Sequence, residues 1–208
     1  MPNSIIFWDF NGIISYNNYW NQIENSNHHL YKYHQSIQEL YTKELCENWM
    51  RGNSNAEKIN EYIAQSVGVS YQELFGIFVG DCCNLDISLA ILELAQKLQK
   101  DFICVLITDN MDNFDRFTIP NNPILKNSFD YISNSFNSKL LKTDKNGKIF
   151  LDICEQYNCN VKDCVLIDNS NKNCILFENL GGKSICTTGE SQVILDVLDF
   201  FRSYNLAL

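Results

Sequence analysis

The nine residues 4–12, SIIFWDFNG, constrain this chain more than any other stretch. Ile5, Ile6, Phe7 and Trp8 form a short apolar run rich in β-formers, which stops abruptly at Asp9 and the turn-forming pair Asn11 and Gly12. A run of that length between turn signals reads as a strand buried on both faces, as at the centre of a parallel sheet. In open α/β sheets ligands bind beyond the carboxyl ends of the strands, and Asp9 and Asn11 would stand there. A plain polar turn explains the same residues equally well at this point, since Asp, Asn and Gly are the commonest turn formers.

Two later runs end in the same way. Residues 102–107 read as a buried strand followed by Thr108, Asp109 and Asn110, and residues 164–167 as another followed by Asp168 and Asn169. Shorter strands are expected at 129–132 and 184–186. Between them lie helical patterns: 86–100, with Ile87, Ile91, Leu94 and Leu98 on one stripe, then 149–157, 173–180 and 190–204. A short helix is expected at 111–117, with Pro120 and Pro123 marking a loop. Strands alternating with helices at this spacing predict an α/β fold with a doubly wound parallel sheet, Rossmann-like in plan.

Residues 15–85 differ, with helical periodicity and no convincing strand. One helix is expected over 30–50, ended by Gly52. A second carries Ile59, Tyr62, Ile63 and Val67 on one face and is capped from Asn53 or Ser54. A third starts at Ser70 with Glu73 three residues on, the pattern of a capping box. The expected organisation is a core of residues 1–14 and 86–208 with a small all-helical cap of residues 15–85. A chain of 208 residues can bury one substantial core and such an insert, but not two large domains.

Charge and cysteine usage narrow the function. A net charge of -9 without any Lys/Arg cluster argues against nucleic acid as a partner. No stretch reaches membrane-spanning length and no leader pattern opens the chain, so no membrane partner and a cytoplasmic location are expected. The nine cysteines are scattered and make no Cys-x-x-Cys pair, so they read as buried thiols acting as small hydrophobes. His28, His29 and His34 fall together without an acidic or cysteine cluster to complete a metal site, and read as a solvated face. Nothing in the pattern specifies an oligomer.

The strand ends of a parallel sheet share one edge, so Asp9, Asn11, Thr108, Asp168 and Asn169 are expected to converge. Lys139, Lys142 and Lys145 lie in the segment between the second and third polar strand ends. A carboxylate nucleophile, a hydroxyl, an ammonium and a second carboxylate at one edge suit phosphoryl transfer. The carboxylate attacks phosphorus while Thr and Lys hold the phosphate oxygens and a cation neutralises developing charge.

In order, these segments resemble the four motifs of the haloacid dehalogenase (HAD) superfamily, of the type with a helical cap after the first strand. Asp9-Phe10-Asn11-Gly12 is similar to the first motif, Asp-x-Asp-Gly, and Val105-Leu106-Ile107-Thr108 to the second. Lys142-Thr143-Asp144 resembles the segment supplying the third-motif lysine. Val165 to Asn169, with Asn173 after it, resembles the fourth, normally a pair of acids. The resemblance spans nearly the whole chain. It implies a Mg2+-dependent hydrolase of a small phosphorylated molecule, with Asp9 as nucleophile, Thr108 and Lys142 on the phosphate, and Asp9, Asn11, Asp168 and Asn169 at the metal.

The departures bear on activity. The family's general acid/base aspartate is Asn11 here, and an amide neither donates nor takes up a proton at neutral pH. General acid–base help is worth roughly 10²–10⁴ in rate. Asn169 replaces the usual direct metal ligand with a neutral oxygen, which lowers Mg2+ affinity, and Ile13 stands where the family usually has Thr. The expectation is an attenuated phosphatase, with a catalytically inactive binding or regulatory protein on the same scaffold as the alternative. An amide introduced deliberately at position 11 would read the same way, although the second one at 169 argues for drift. Dehalogenation proper fits less well, since it wants an arginine for the carboxylate and Arg51 is the only one in the cap. Tyr16, Tyr19, Trp20 and Trp49 serve either as a partly aromatic pocket wall or as core packing.

Overall fold

The chain builds a five-stranded, wholly parallel sheet in the order β3-β2-β1-β4-β5. The strands are β1 (Ile5–Trp8), β2 (Ile103–Thr108), β3 (Tyr131–Asn134), β4 (Val165–Asp168) and β5 (Lys183–Cys186). The structure is a computed structural model and describes residues 4–17 and 19–202. Tyr204, expected in the last helix, lies outside the described residues, as does Asn18.

β1 sits at the centre with all four residues fully buried. Its side chains alternate between faces, as the period of two requires. Ile6 and Trp8 join Cys104, Leu106, Val165 and Ile167 in one hydrophobic cluster with Ile91, Leu98, Val193 and Val197. Ile5 and Phe7 join Val105, Ile107 and Leu166 on the other face, against Phe150, Ile153 and Phe177. Each face is therefore covered by helices, which explains why the strands read as continuous apolar runs rather than as alternating ones.

Eleven α-helices, with shorter 3-10 and π turns between them, complete the described residues. The first four, α1 (His34–Leu40), α2 (Lys43–Met50), α3 (Ala56–Val67) and α4 (Tyr71–Cys83), lie between β1 and β2, followed by α5 (Leu89–Leu98). α6 (Ile119–Asn121) and α7 (Ile124–Ser128) precede β3, and α8 (Ser135–Ser138) and α9 (Lys148–Gln156) follow it. α10 (Asn171–Asn179) and α11 (Glu190–Arg202) flank β5.

Three local expectations are corrected. The single helix over 30–50 is two, because Tyr41 leaves the helical region and Thr42 caps α2, its side chain accepting from the Leu45 N–H at 3.2 Å. Asn55, rather than Asn53 or Ser54, caps α3. Pro120 lies inside a helix: a π-helical turn over Phe114–Thr118 closes with the Ile119 N–H on the Phe114 carbonyl and runs on into α6. The wider turn tolerates a residue that cannot donate.

The helices between β1 and β2 gather a hydrophobic cluster of their own, including Trp20, Ile37, Trp49, Ile63, Leu74 and Phe78. Met111 belongs to it and Phe117 and Phe136 pack against it, so the segments after β2 and β3 complete what the helical insert leaves open. Polar ties reinforce this seam. Buried Asp112 accepts from Trp49 Nε1 at 2.6 Å and from the Ala56 N–H at 3.1 Å, and Arg51 grips Asp144 through two bonds of 2.9 and 3.0 Å.

Candidate active site

The chain order fixes where a ligand can reach the sheet. After β1 it moves through β2 to β3 on one side, then returns to β4 and β5 on the other. The reversal leaves a crevice outside the carboxyl ends of β1 and β4, the usual ligand position in such sheets. Asp9 follows β1, and Asp168 is the last residue of β4.

Between them stands the ammonium of Lys142, 2.6 Å from Asp9 Oδ1 and 2.8 Å from Asp168 Oδ2. All three residues are buried, at 7% (Asp9), 2% (Lys142) and 0% (Asp168) exposure. Asp168 is held further by the Ser170 N–H on Oδ1 at 2.8 Å and by Asn173 Nδ2 on Oδ2 at 3.0 Å. Asp9 receives the Phe10 N–H on Oδ1 at 2.7 Å, and Oδ2 takes no hydrogen bond from the described residues. Two carboxylates thus share one cation. Burial is the main force on Asp9 and pushes it up to about 7, against the pull of Lys142 and with Asp168 adding to the rise. Burial alone would lower Lys142, but Asp9, Asp168 and Asp109 outweigh it and hold the ammonium above the ordinary lysine range.

Of the three candidate lysines, only Lys142 reaches the carboxylates. Lys139 adopts a left-handed backbone, with its ammonium 4.4 Å over the Phe136 ring, and Lys145 is exposed in a short turn. The segment is aimed by a residue that sequence reasoning missed: Asp109 accepts the Lys142 backbone N–H at 2.9 Å. Asp109 is itself pushed up, by burial first, with Lys142 opposing. Its place directly after Thr108 was the available signal.

Thr108, at the end of β2, is 1% exposed, and its hydroxyl has no partner among the described residues. An unpaired buried hydroxyl at a strand end calls for an explanation, and a part in binding a ligand is one. Asn11 and Asn169 lie at the rim and are exposed. Gly12, with φ of 84°, is where the Asn169 amide settles: a Cβ there would stand 2.1 Å from Asn169 Nδ2. The positive φ favours glycine here, and any Cβ would push the exposed Asn169 amide aside.

A cation would find few anionic oxygens. Asp168 has both oxygens committed to donors, which leaves Oδ2 of Asp9 with the neutral oxygens of Asn11 and Asn169. Among the described residues no group of three or more His, Cys, Asp and Glu side chains stands ready to hold a metal. Mg2+ accepts one or two carboxylates when phosphate oxygens complete its sphere. The donor set fits a cation of that kind.

A cavity of about 470 Å³ opens beside the rim, between the insert and the sheet edge. Asn11, Gly12 and Asn169 form its floor, with Tyr16, Tyr19 and Tyr41 among its walls. The four cap aromatics thus divide. Tyr16 and Tyr19 line the cavity, whereas Trp20 and Trp49 are buried in the insert's own cluster. Outside the site, His29 pairs with Glu73 and His34 lies 3.5 Å from Glu24. All nine cysteines are free, and no helix among the described residues is long and apolar enough to cross a membrane.

No protein-family model and no curated relative matches the sequence. Solved structures do. A HAD family enzyme from Bacteroides thetaiotaomicron, in complex with magnesium and inorganic phosphate, superposes with a TM-score of 0.73 over 90% of this chain and 96% of its own, at 20% identity. The fold is that of the HAD superfamily. A protein described as a predicted HAD-like family hydrolase from Porphyromonas gingivalis gives 0.73 at 19% identity, covering 97% and 98% of the two chains. The L-2-haloacid dehalogenase of Xanthobacter autotrophicus, with chloropropionic acid covalently bound, gives 0.61 at 12% identity over 88% and 76%. The HAD fold thus spans different chemistries among these neighbours, and the site residues must decide between them.

Proposed function

We propose that this protein is an attenuated HAD-type phosphatase that hydrolyses a small phosphorylated metabolite through an aspartyl-phosphate on Asp9. The observation that carries the reading is the buried Asp9–Lys142–Asp168 cluster at the switch point, with the unpaired Thr108 hydroxyl at the end of the neighbouring strand. A HAD-fold neighbour that binds magnesium and inorganic phosphate supports the ligand class.

In this mechanism an Asp9 oxygen attacks phosphorus and the bond to the leaving oxygen breaks. Thr108 and Lys142 hold the phosphoryl oxygens as charge develops, and Asp168, anchored by Ser170 and Asn173, keeps the ammonium in place. Water then attacks phosphorus and releases phosphate and Asp9. Mg2+, held by Asp9, the Asn11 backbone carbonyl and Asn169 with Asp168 behind them, would neutralise phosphate charge. Asn11 cannot protonate the leaving oxygen, so good leaving groups are turned over and alkoxides barely. Arg51 is committed to Asp144 and Glu47 and is not free to receive a substrate carboxylate, which disfavours dehalogenation.

The amides at 11 and 169 also favour a second reading, a phosphate-binding protein without turnover. A phosphatase screen with Mg2+ separates the two. The wild-type chain should hydrolyse acyl and activated aryl phosphates slowly, Asn11→Asp should gain up to about 10²–10⁴-fold on alkyl phosphates, and Asp9→Ala should be dead. Equal inactivity of all three overturns the enzyme reading.

A further inference from the structure

Asp168 is flanked by two thiols that the site chemistry does not use. Its backbone carbonyl accepts from Cys174 Sγ at 3.7 Å and from the Thr187 N–H at 3.1 Å. Cys186, the residue before Thr187, is its register partner on β5. Cys174 follows Asn173, which donates to Asp168 Oδ2 at 3.0 Å. The two thiols also face each other. Ser184 Oγ donates to Glu178 Oε1 at 2.7 Å, so α10 covers the face of β5 that carries Ser184 and Cys186. Cys174 lies one helical turn before Glu178, and Cys186 one strand repeat after Ser184. Between two parallel strands the helix runs back, and the steps match, at about 6 Å along the helix and about 6.6 Å along the strand. The thiols of Cys174 and Cys186 are accordingly hydrogen-bonding neighbours. Their surroundings differ: Cys186 is exposed, whereas Cys174 is 2% exposed.

We infer that Cys186 and Cys174 form an oxidant-responsive pair, which closes to a disulfide under peroxide and loosens the hold on Asp168. An accessible thiol poised beside a resolving one is the arrangement of redox-sensing cysteines. The peroxide meets Cys186 first. Its O–O bond breaks, one oxygen stays on sulfur as a sulfenic acid, and the other leaves as water. Cys174 then attacks that sulfur, the S–O bond breaks, and the Cys174 proton departs on a second water. The two thiols together lose two electrons, and the peroxide is reduced to two waters. Burial pushes the Cys174 thiol up to about 12, which shields it from direct oxidation and leaves it to the intramolecular step. The new bond removes the S–H that Cys174 gave the Asp168 carbonyl, and it pulls on Asn173 and Thr187, the adjoining residues that hold Asp168.

Treating the full chain with hydrogen peroxide, blocking the remaining thiols and mapping peptides without reduction tests this. A link between Cys174 and Cys186 should form and be reversed by dithiothreitol. Cys154 and Cys164 serve as the control. Their sulfurs lie 3.8 Å apart, but the residues are 4% and 0% exposed, so their link should form about tenfold more slowly. Cys186→Ser, at an exposed position, should abolish the first link and leave Cys174 a thiol. Cys174→Ser should leave Cys186 as a sulfenic acid that dimedone traps. In the oxidised wild type, hydrogen exchange over residues 170–174 should quicken about threefold or more, with β1 and β2 unchanged. Absence of the Cys174–Cys186 link, or its forming no faster than the control, overturns the pair. A link without faster exchange overturns its effect on Asp168. None of these readouts needs turnover, so an inactive protein would sink the phosphatase reading alone.

Discussion

Replacing Lys142 with Met tests the core of the site through stability as well as chemistry. The side chains are close in length, so little cavity is created, and the change removes mainly the ammonium. That group pairs with two carboxylates at 2.6 and 2.8 Å, with 2% of the lysine side chain and 10% and 0% of the aspartates accessible. At such burial solvent screens little, and leaving a partner charge unpaired typically costs about 3–5 kcal/mol. Asp168 retains Ser170 and Asn173 as donors, so most of the loss falls on Asp9, which keeps only the Phe10 N–H. For a chain of this size the loss corresponds to a fall in Tm of about 6–20 °C. The assay is urea unfolding with Lys142→Met, Lys139→Met and Lys145→Met in parallel. The two controls should lie within about 1 kcal/mol of wild type, because their ammonium groups are exposed or rest on a ring face. Adding Asp9→Asn to Lys142→Met should recover part of the loss by removing the stranded charge. A Lys142→Met loss below about 1 kcal/mol, or no recovery in the double variant, refutes the account of two carboxylates organised around one cation.

Three further substitutions probe how the site and the insert are held. Gly12→Ala and Gly68→Ala both force alanine into a left-handed backbone, at φ of 84° and 78°, so each should lose about 1–2 kcal/mol. Only at Gly12 does the new Cβ meet Asn169, so only Gly12→Ala should also weaken phosphate binding in calorimetry; equal binding by both variants would remove Asn169 from the site. Arg51→Met removes a part-exposed clamp between insert and core, worth about 1 kcal/mol after solvent screening. Its signature should be faster hydrogen exchange in α2 with β1 and β4 unchanged, and uniform acceleration throughout would contradict a local clamp.

What the sequence disclosed follows from how each feature is encoded. β1, β2 and β4 were legible because strands buried on both faces must be apolar without interruption, and few other structures demand that over four to six residues. The convergence of Asp9, Thr108 and Asp168 then followed from parallel topology alone. The choice of Lys142 over Lys139 and Lys145 did not, since three lysines within seven residues look alike locally. Their fates separate through the left-handed turn at Lys139 and the grip of Asp109 on the Lys142 N–H, a contact 33 residues away. Asp109 and Asp112 stayed hidden for a related reason. An acid after a strand reads as a solvated turn residue, and only the tertiary arrangement shows one holding a backbone and the other receiving Trp49. At Thr42 a cap outweighed helical periodicity, and at Pro120 a widened turn outweighed proline's usual veto.

The two asparagines also differ in what they remove. On the proposed reading, Asp9 would attack the phosphoryl unit and Thr108 and Lys142 would hold it. On the same reading, Asn11 would withdraw proton transfer, and Asn169 would withdraw one anionic oxygen from any cation. Loss of proton transfer is worth roughly 10²–10⁴, or about 3–5 kcal/mol, against total enzymatic accelerations of at least about 8 kcal/mol. Such a subtraction slows a phosphatase and narrows it to substrates that leave unaided; it does not by itself silence one. Silence would require that the rim also fail to gather phosphate, and the neutral amides there make that depend on Lys142 more heavily than in a site with four acids. The cluster of one lysine and two buried aspartates is therefore the point at which activity, ligand binding and stability should fail together.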